Sequence, residues 1–267
     1  MVSIVLLVFG ITFMGVNRSV GVKIARVRHY LCGMSSHFIR IASYNMRKAR
    51  GLDQRRRPER TCAVLNTLGA DVVVLQEADR RLGLRPPALS REMIAAETDF
   101  DVVEVCDNGL SLGWHGNAVL VRKGLSAGDV QRVSLPGLEP RGAVRVGLNV
   151  GPGLTLVATH LGLRRRDRRA QLAALTAATA DDTHCIIGGD FNEWSVSKGL
   201  EPLAARFNTH SPGRSFHARR PIAALDRFAM TPGVILRDAG VEEGPLAKIA
   251  SDHLPIWSDI EIPPATC

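Results

Sequence analysis

Aromatic residues and cysteines are scarce in this sequence, and each scarcity argues against a class of protein. Aromatic residues make up 5% of the 267 positions, with two tyrosines, which disfavours a binder of single strands that stacks bases on many aromatic side chains. The five cysteines are scattered, odd in number and form no CxxC pair, so they indicate neither a zinc site nor a disulfide framework. The contents of 45% hydrophobic and 22% charged residues are typical of a globular domain with a sizeable core.

Long apolar runs are also missing, apart from residues 2–16. That run is shorter than the roughly 20 residues that span a bilayer, and it lacks the positive n-region of a secretory signal. Three interpretations stay open: an over-extended start with Met34 opening the protein, a short membrane anchor, or a cleaved signal. Positive residues follow the run, so an inserted anchor would keep the rest of the chain in the cytoplasm. We expect a cytoplasmic protein, with anchoring through residues 2–16 as the open alternative.

The formal net charge is +8, and most of the excess comes from clustered arginines. The clusters are Arg55–Arg57, Arg164–Arg166 with Arg168 and Arg169, and Arg219–Arg220. Such clusters suit an anionic partner, which would be a phosphate-bearing substrate, a nucleic acid or an anionic lipid. A solvated basic surface explains them equally well, so charge alone does not name the ligand.

Short strands separated by a few helices make up the pattern from residue 38 onward. The predicted strands are 38–44, 71–75, 100–105, 117–122, 143–150, 154–159, 184–187, 226–230, 234–238 and 256–262, and the predicted helices are 59–68, 89–97, 167–180 and 200–206. The apolar run 71–75 indicates a strand buried on both faces, whereas the alternation over 143–150 indicates one buried face. No repeat or linker divides residues 38–262. This predicts one α/β domain, a sandwich of two sheets covered by helices, between an N-terminal extension (1–37) and a short tail (263–267).

Polar side chains suited to metal and phosphate chemistry recur where the predicted strands end. They are Asn45, Gln76, Glu77, His160, Asp190, Asn192, Asp226, Asp252 and His253. Loops at strand ends are where α/β enzymes place their sites. Carboxylate and amide oxygens are hard ligands, which predicts a magnesium site, with manganese as the alternative metal.

Seven short motifs follow one another along the chain. They are Ser-Tyr-Asn at 43–45, Leu-Gln-Glu at 75–77, Gly-Asn-Ala-Val-Leu at 116–120, Thr-His-Leu at 159–161, Gly-Asp-Phe-Asn at 189–192, Leu-Asp-Arg at 225–227 and Ser-Asp-His at 251–253. In this order they resemble the endonuclease/exonuclease/phosphatase superfamily, which includes DNase I, AP endonucleases, inositol-polyphosphate 5-phosphatases and neutral sphingomyelinases. The segments 115–120, 160–164 and 189–194 are most similar to small bacterial members of unassigned substrate. The resemblance implies a DNase I-like, four-layer α-β-β-α sandwich and hydrolysis of a phosphate ester.

The resemblance also implies which residues bind the metal. Glu77 would be the principal ligand, with Asn45 beside it. Asp252 would contact the metal directly or through water. A magnesium site that uses one or two carboxylates and shares the substrate's phosphate agrees with this set.

Five further residues are implied as the catalytic group. Asp190 would accept a proton from the attacking water, and Asn192 would orient that water or bind a phosphoryl oxygen. His253 would bind the phosphate and stabilise its charge in the transition state, with its ring held by Asp226. His160 would contact the phosphate or protonate the leaving group.

Three more residues are predicted to bind substrate. Asn117 belongs to a segment that lines the family's cleft, and Arg164 could reach a phosphate with two parallel hydrogen bonds. Arg227 follows Asp226 as in the 5-phosphatases rather than the nucleases. However, the tryptophan that normally precedes that pair is replaced by Ala223 and Ala224, which argues against an inositol phosphate.

Two kinds of phosphoesterase therefore remain open. The first hydrolyses a phosphodiester of the nuclease type, with nucleic acid as substrate. The second is a phosphatase or phosphodiesterase that acts on a phospholipid head group or a small phosphorylated molecule. A non-catalytic binding module is a remote third alternative, because the complete set of acid–base and metal residues is retained. We expect a monomer without an obligate protein partner.

Overall fold

The computed structural model describes residues 36–80, 85–106, 109–195 and 198–264. The predicted apolar segment 2–16 and most of the predicted extension lie outside these residues. The described strands are β1 (His37–Asn45), β2 (Val72–Gln76), β3 (Phe100–Val102), β4 (Ala118–Arg122), β5 (Ala127–Leu135), β6 (Arg141–Leu148), β7 (Leu154–His160), β8 (Cys185–Asp190), β9 (Asn208–His210), β10 (Asp226–Met230), β11 (Ile235–Val241) and β12 (Ile256–Ile262). The described α-helices are α1 (Pro58–Thr67), α2 (Arg91–Glu97), α3 (Arg165–Ala178) and α4 (Ala247–Ala250).

These strands form two sheets of six strands each within the described residues. The first sheet has the order β11-β12-β1-β2-β4-β3, and the second has the order β5-β6-β7-β8-β10-β9. Strands β1 and β2 pair in parallel near the middle of the first sheet. Strands β7 and β8 pair in parallel at the corresponding place in the second. The other strand pairs are antiparallel.

The main core lies between the two sheets. Side chains of β1, β2 and β4 contribute one half, and those of β6, β7, β8 and β10 contribute the other. A second apolar cluster joins α1 and α2 to the outer face of the first sheet. A third packs Leu172 and Leu175 of α3 against the second sheet. This arrangement confirms the predicted α/β sandwich with helices on both outer faces.

The structure differs from the predicted elements at several positions, among them strand β9 (Asn208–His210) and helix α4 (Ala247–Ala250), which were not predicted. The predicted helix at 200–206 is reduced to a short 3-10 helix, Glu201–Leu203. Strand β5 was not predicted at all, because it lies at the edge of its sheet and most of its side chains are partly or fully exposed. An edge strand of this kind lacks the apolar alternation by which a half-buried strand is recognised.

Across the described ranges, no helix is both long enough and apolar enough to cross a bilayer.

The topology brings the ends of four central strands to one side of the sandwich. Asn45 ends β1 and pairs in register with Gln76, which ends β2. His160 ends β7 and pairs with Asp190, which ends β8. Because parallel strands end at the same edge of a sheet, their final side chains meet there.

Candidate active site

The carboxylate of Asp190 is the point where three other polar side chains converge. Its Oδ2 atom accepts a hydrogen bond of 3.0 Å from the Asn45 Nδ2 amide. The same oxygen lies 3.4 Å from His160 Nε2 and 3.7 Å from His253 Nε2. All four side chains are buried. Side chains from both sheets therefore meet at one carboxylate oxygen.

Two glycines place Asp190 at the end of β8. A Cβ atom on Gly189 would lie 1.9 Å from the carbonyl oxygen of Thr159, a separation that no side chain can tolerate. A Cβ on Gly188 would lie 3.1 Å from Phe228 and 3.4 Å from Val74 of the opposite sheet. The Gly-Gly pair thus permits the close packing that holds the Asp190 backbone between its neighbours.

Asn192 completes the turn after Asp190. Its backbone N–H donates to Asp190 Oδ1 at 2.9 Å, and its Nδ2 amide donates to the Leu161 carbonyl at 2.9 Å. Its φ of 51° lies in the left-handed region, which asparagine tolerates better than most residues. Both Asp190 oxygens are consequently fixed by hydrogen bonds.

His253 is held by a buried carboxylate and a hydroxyl. Its Nδ1 atom lies 2.8 Å from Asp226 Oδ2, and Ser215 Oγ donates to the same oxygen. Burial lowers the pKa of His253, but the charges of Asp226 and Asp190 outweigh burial and raise the pKa to about 10. The imidazolium form is therefore favoured at neutral pH, which supplies a positive charge beside Asp190.

The ring of His160 is uncharged, in contrast to that of His253. Burial lowers the pKa of its ring to about 3, even though the Asp190 charge acts in the other direction. A ring of this kind is neutral at neutral pH, so it can donate one hydrogen bond and accept another. The two histidines that flank Asp190 thus have different charges.

Glu77 lies at a left-handed position, with a φ of 54°. Its neighbour Gly116 packs in ordinary contact, since a Cβ there would lie 3.6 Å from the Glu77 backbone. The Glu77 carboxylate pairs with the ammonium group of Lys48. Backbone strain of this kind in a non-glycine residue is common at functional sites.

Glu77 lines a cavity of about 280 Å³. Its lining combines the predicted residues Glu77 and His160 with side chains that were not singled out from the sequence, namely Lys48, Asp79, Arg80, Arg85, Pro140 and Arg141, and also with His115 and Gly116. The cavity therefore has cationic walls around the predicted metal ligand and one predicted phosphate ligand.

Asp252 is paired with an arginine side chain. Its Oδ2 atom forms an ion pair of 3.2 Å with Arg47 Nε. The adjacent Ser251 hydroxyl donates to the Asn45 carbonyl at 2.7 Å, which ties the segment to the end of β1. Asp252 is thus anchored beside Asn45 through its neighbour.

The donor chemistry of the site fits a divalent cation. Asp190, Asp226 and His253 have ligand atoms that all lie within 4.8 Å of one another, but His253 in its imidazolium form offers no lone pair, so the two carboxylates are the donors of this cluster. Asp226 Oδ1 is buried without a hydrogen-bond partner among the described residues. Glu77, Asn45 and Asp252 add further oxygen donors at the neighbouring strand ends, and such oxygens are the preferred ligands of magnesium and manganese.

The three predicted substrate-binding residues have different positions. Asn117 is fully buried, and its Nδ2 amide donates to the Gly142 and Trp114 carbonyls. Arg164 is exposed at the start of α3. Arg227 is only 2% exposed, and its Nη2 group donates to the Glu193 and Ser195 carbonyls. These contacts favour a loop-anchoring role for Arg227 over the predicted contact with substrate.

Two residues that contact the predicted site residues, Lys48 and Ser215, had no signal in the sequence. Lys48 follows Asn45 by three positions, but it lies in a 3-10 turn with a φ of 55° that no local pattern predicts. Ser215 lies in a loop without a motif. Their roles depend on long-range contacts, which a local pattern does not contain.

Comparisons with known proteins match most of the chain. The model of the Endonuclease/Exonuclease/phosphatase family matches residues 42–253. The Escherichia coli K12 protein described as "Uncharacterized protein YbhP" is 29% identical over 228 residues, which covers 77% of this chain and 88% of YbhP.

Two solved structures illustrate the range of proteins with a similar fold. One is D. rerio TDP2 complexed with single strand DNA product, with a TM-score of 0.65, 17% identity, and coverage of 84% of this chain and 98% of that one. The other is a mannosyl-6-phosphatase of Bacteroides thetaiotaomicron, with a TM-score of 0.64, 15% identity, and coverage of 83% and 99%. At these identities the two structures support the fold alone.

Proposed function

Because the chain belongs to the endonuclease/exonuclease/phosphatase family, whose members hydrolyse phosphoester bonds, we propose that it is a magnesium-dependent phosphodiesterase of the nuclease type. The observation that carries this proposal is the convergence of Asn45, His160 and His253 on one oxygen of Asp190. A buried carboxylate surrounded by hydrogen-bond donors and a positive charge can accept a proton from water while its neighbours bind a phosphate.

Each of these side chains has a distinct task in the proposed reaction. Asp190 accepts the proton of the attacking water, and Asn45 keeps the carboxylate in place. His253, held by Asp226, places its positive charge against the phosphate oxygens as negative charge develops. His160, whose pKa is lowered to about 3 by burial, donates a hydrogen bond to the phosphate from its neutral ring, and this neutral state argues against the predicted alternative of protonating the leaving oxygen. Asn192 fixes the second oxygen of Asp190 through its backbone.

Glu77, with Asn45 and Asp252, would hold the divalent cation, for which Mg²⁺ is proposed and Mn²⁺ is the alternative. When bound, such a cation supplies Lewis-acid stabilisation of phosphoryl charge and acidifies a bound water. The ammonium group of Lys48 against Glu77 supports the idea that positive charge is favoured at this carboxylate.

A phosphatase or phosphodiesterase acting on a small phosphorylated molecule or a phospholipid head group is the second candidate. The cavity of about 280 Å³ with Arg80, Arg85 and Arg141 in its wall favours it, because a compact anion would fit among these cationic groups. The protein is expected to act as a monomer.

Removal of the divalent cation is expected to abolish hydrolysis. The full chain should be assayed with Mg²⁺, with Mn²⁺ and with EDTA on plasmid DNA, RNA, bis-p-nitrophenyl phosphate, p-nitrophenyl phosphate and phospholipids. EDTA should lower the rate by more than about 100-fold, since a metal contributes several kcal/mol of charge stabilisation. Added Mg²⁺ should restore the rate.

The substrate panel separates the two candidates. Cleavage of plasmid DNA or RNA, without release of phosphate from p-nitrophenyl phosphate and without hydrolysis of phospholipids, supports the nuclease-type proposal, whereas cleavage of bis-p-nitrophenyl phosphate alone is expected of a phosphodiesterase of either candidate. The reverse pattern, or hydrolysis of the phospholipids alone, supports the second candidate. Full activity in EDTA would argue against both.

A further inference from the structure

An exposed tryptophan is connected through one intervening aromatic ring to His253, the proposed phosphate ligand. Trp194 is 60% exposed, and its ring meets Phe216 edge to face with the centroids 5.9 Å apart. Phe216 in turn lies 5.0 Å from the His253 ring. A row of three rings therefore leads from His253 to solvent.

The backbone on both sides of Trp194 is held by buried charges. Arg227 donates to the Glu193 carbonyl at 2.7 Å and to the Ser195 carbonyl at 2.8 Å. The Glu193 carboxylate is buried as well, and it accepts a hydrogen bond of 2.8 Å from Arg168. Burial lowers the pKa of Arg227, so the enclosure of this guanidinium has an energetic cost.

These contacts fix the backbone of Trp194 without burying its ring. Tryptophan is on average a highly buried residue, yet here the buried neighbours are the charged Glu193, Arg168 and Arg227. The charged groups fix the backbone, and the large apolar ring is left in solvent. A fixed and exposed aromatic ring, separated from His253 only by the ring of Phe216, is suited to contact with a substrate.

The segment that carries Phe216 is also strongly basic. Arg214, Arg219 and Arg220 are exposed on it, and none of the three guanidinium groups forms an ion pair with a carboxylate of the described chain. The same segment docks on the active site, because Ala218 N–H donates to the Asp252 carbonyl at 2.7 Å. Aromatic side chains combined with a positive surface are the features with which proteins hold single-stranded nucleic acid.

We propose that Trp194 is a stacking platform for a base of single-stranded nucleic acid, next to the phosphate held by His253. The exposed arginines of the Phe216 segment contact the backbone phosphates that follow. This inference rests on the proposed hydrolysis of a phosphodiester and names its substrate class. A choline head group also binds an indole face, but the exposed arginines disfavour its cationic ammonium, so a base with its backbone phosphates explains the platform and the arginines together.

Arg227 is a positioning residue in this scheme. It does not reach the substrate, and it acts by holding the carbonyl groups on both sides of Trp194. An Arg227→Lys variant retains a positive charge but cannot form the same set of hydrogen bonds to these carbonyls. Its effect should therefore follow that of a change at Trp194.

The test compares oligonucleotides with and without bases. The kcat and KM of the full chain are measured on a fluorescent single-stranded oligothymidylate and on an abasic analogue of the same length. For the oligothymidylate, Trp194→Ala should raise KM by about 5- to 150-fold, the factor that corresponds to loss of one stacked base. The kcat should change little. Trp194→Phe should recover part of the loss, and Arg227→Lys should raise KM in the same base-dependent manner.

The abasic analogue supplies the internal control. Its KM should be the same for the wild type and for Trp194→Ala. Phe38→Ala is the matched surface variant, because Phe38 is a 70% exposed aromatic residue near the start of β1, at the opposite end of that strand from Asn45. Equal effects of Trp194→Ala on both oligonucleotides, or no effect on either, would overturn the platform while leaving the hydrolytic function intact.

Binding distinguishes failure of the platform from failure of the proposed function. Fluorescence anisotropy of the same two oligonucleotides is measured with Asp190→Asn, with and without Trp194→Ala. Base-dependent weakening of binding supports the platform even if no hydrolysis is found, in which case the proposed function alone fails. Equal weakening of binding for the oligonucleotides with and without bases would reject the platform. An effect of Trp194→Ala on binding to phospholipid vesicles alone would reject it as well.

Discussion

Replacing Asp190 with asparagine is expected to lower kcat for phosphoester hydrolysis by about 10²- to 10⁴-fold, the range that a positioned general base contributes. The replacement keeps the size of the side chain and one of its oxygens. It removes the negative charge that accepts the proton of the attacking water. Both carboxylate oxygens accept hydrogen bonds, from the Asn45 Nδ2 amide and from the Asn192 N–H, so the NH2 group of asparagine faces one of these donors, and the fold of the variant is measured beside its kcat.

Steady-state hydrolysis of bis-p-nitrophenyl phosphate with Mg²⁺ measures this loss, and circular dichroism checks the fold. Asp181→Asn is the matched control, because Asp181 is exposed and precedes β8, whereas Asp190 ends that strand. The control should retain wild-type kcat. If Asp190→Asn kept more than about a tenth of the activity, proton acceptance by Asp190 would be excluded.

Replacing His253 with alanine is expected to lower kcat by about 10²- to 10³-fold, the effect of removing one group that stabilises charge in a transition state. His253 carries a positive charge because Asp226 and Asp190 raise its pKa to about 10. That charge lies 3.7 Å from the Asp190 carboxylate, so it is available to the phosphate at the moment of attack. KM should change less than kcat.

Asp226 should share the effect of His253, since the two side chains are hydrogen-bonded at 2.8 Å. Asp226→Asn alone should lower kcat, and the double variant should be about as active as His253→Ala, because residues that act as a unit are not additive. His184→Ala, at the opposite end of β8, is the control. Fully additive losses would show that Asp226 acts independently of His253.

The sequence contained enough information to predict the fold and the meeting of the strand-end residues. Asn45, His160 and Asp190 were predicted to belong to one site because they end strands, and the two parallel pairs β1–β2 and β7–β8 bring those ends together. The Gly-Gly pair before Asp190 was a visible signal as well. Its role in strand packing, however, became clear only from the 1.9 Å separation that a side chain would have from Thr159.

The sequence did not predict which groups the side chains of Arg227 and Lys48 contact. Arg227 follows Asp226 in a motif, which suggested contact with substrate, but every residue of β10 is buried. On such a strand an arginine on either face is enclosed, and Arg227 therefore bonds to carbonyl groups of a neighbouring loop. Lys48 illustrates the same limit, since its pairing with Glu77 joins residues 29 positions apart.

Composition was a poor guide to the aromatic residues. An aromatic content of 5% disfavoured a protein that stacks bases on many rings. It contains no information on where the few rings lie. One exposed ring at Trp194, in a row with Phe216 and His253, is sufficient for contact with a base beside the reacting phosphate.

The central claim is that these strand ends form one cation-dependent phosphoesterase site with Glu77 as its principal metal ligand. The most direct measurement is the rate of bis-p-nitrophenyl phosphate hydrolysis across a series of Mg²⁺ concentrations, for the wild type, Glu77→Gln and the exposed control Glu59→Gln. Glu77→Gln should raise the Mg²⁺ concentration for half-maximal rate by at least about 10- to 100-fold, the range already seen when groups that merely orient a ligand are changed. Glu59→Gln should follow the wild type. Identical Mg²⁺ curves for all three proteins, or hydrolysis that does not depend on Mg²⁺, would contradict the claim.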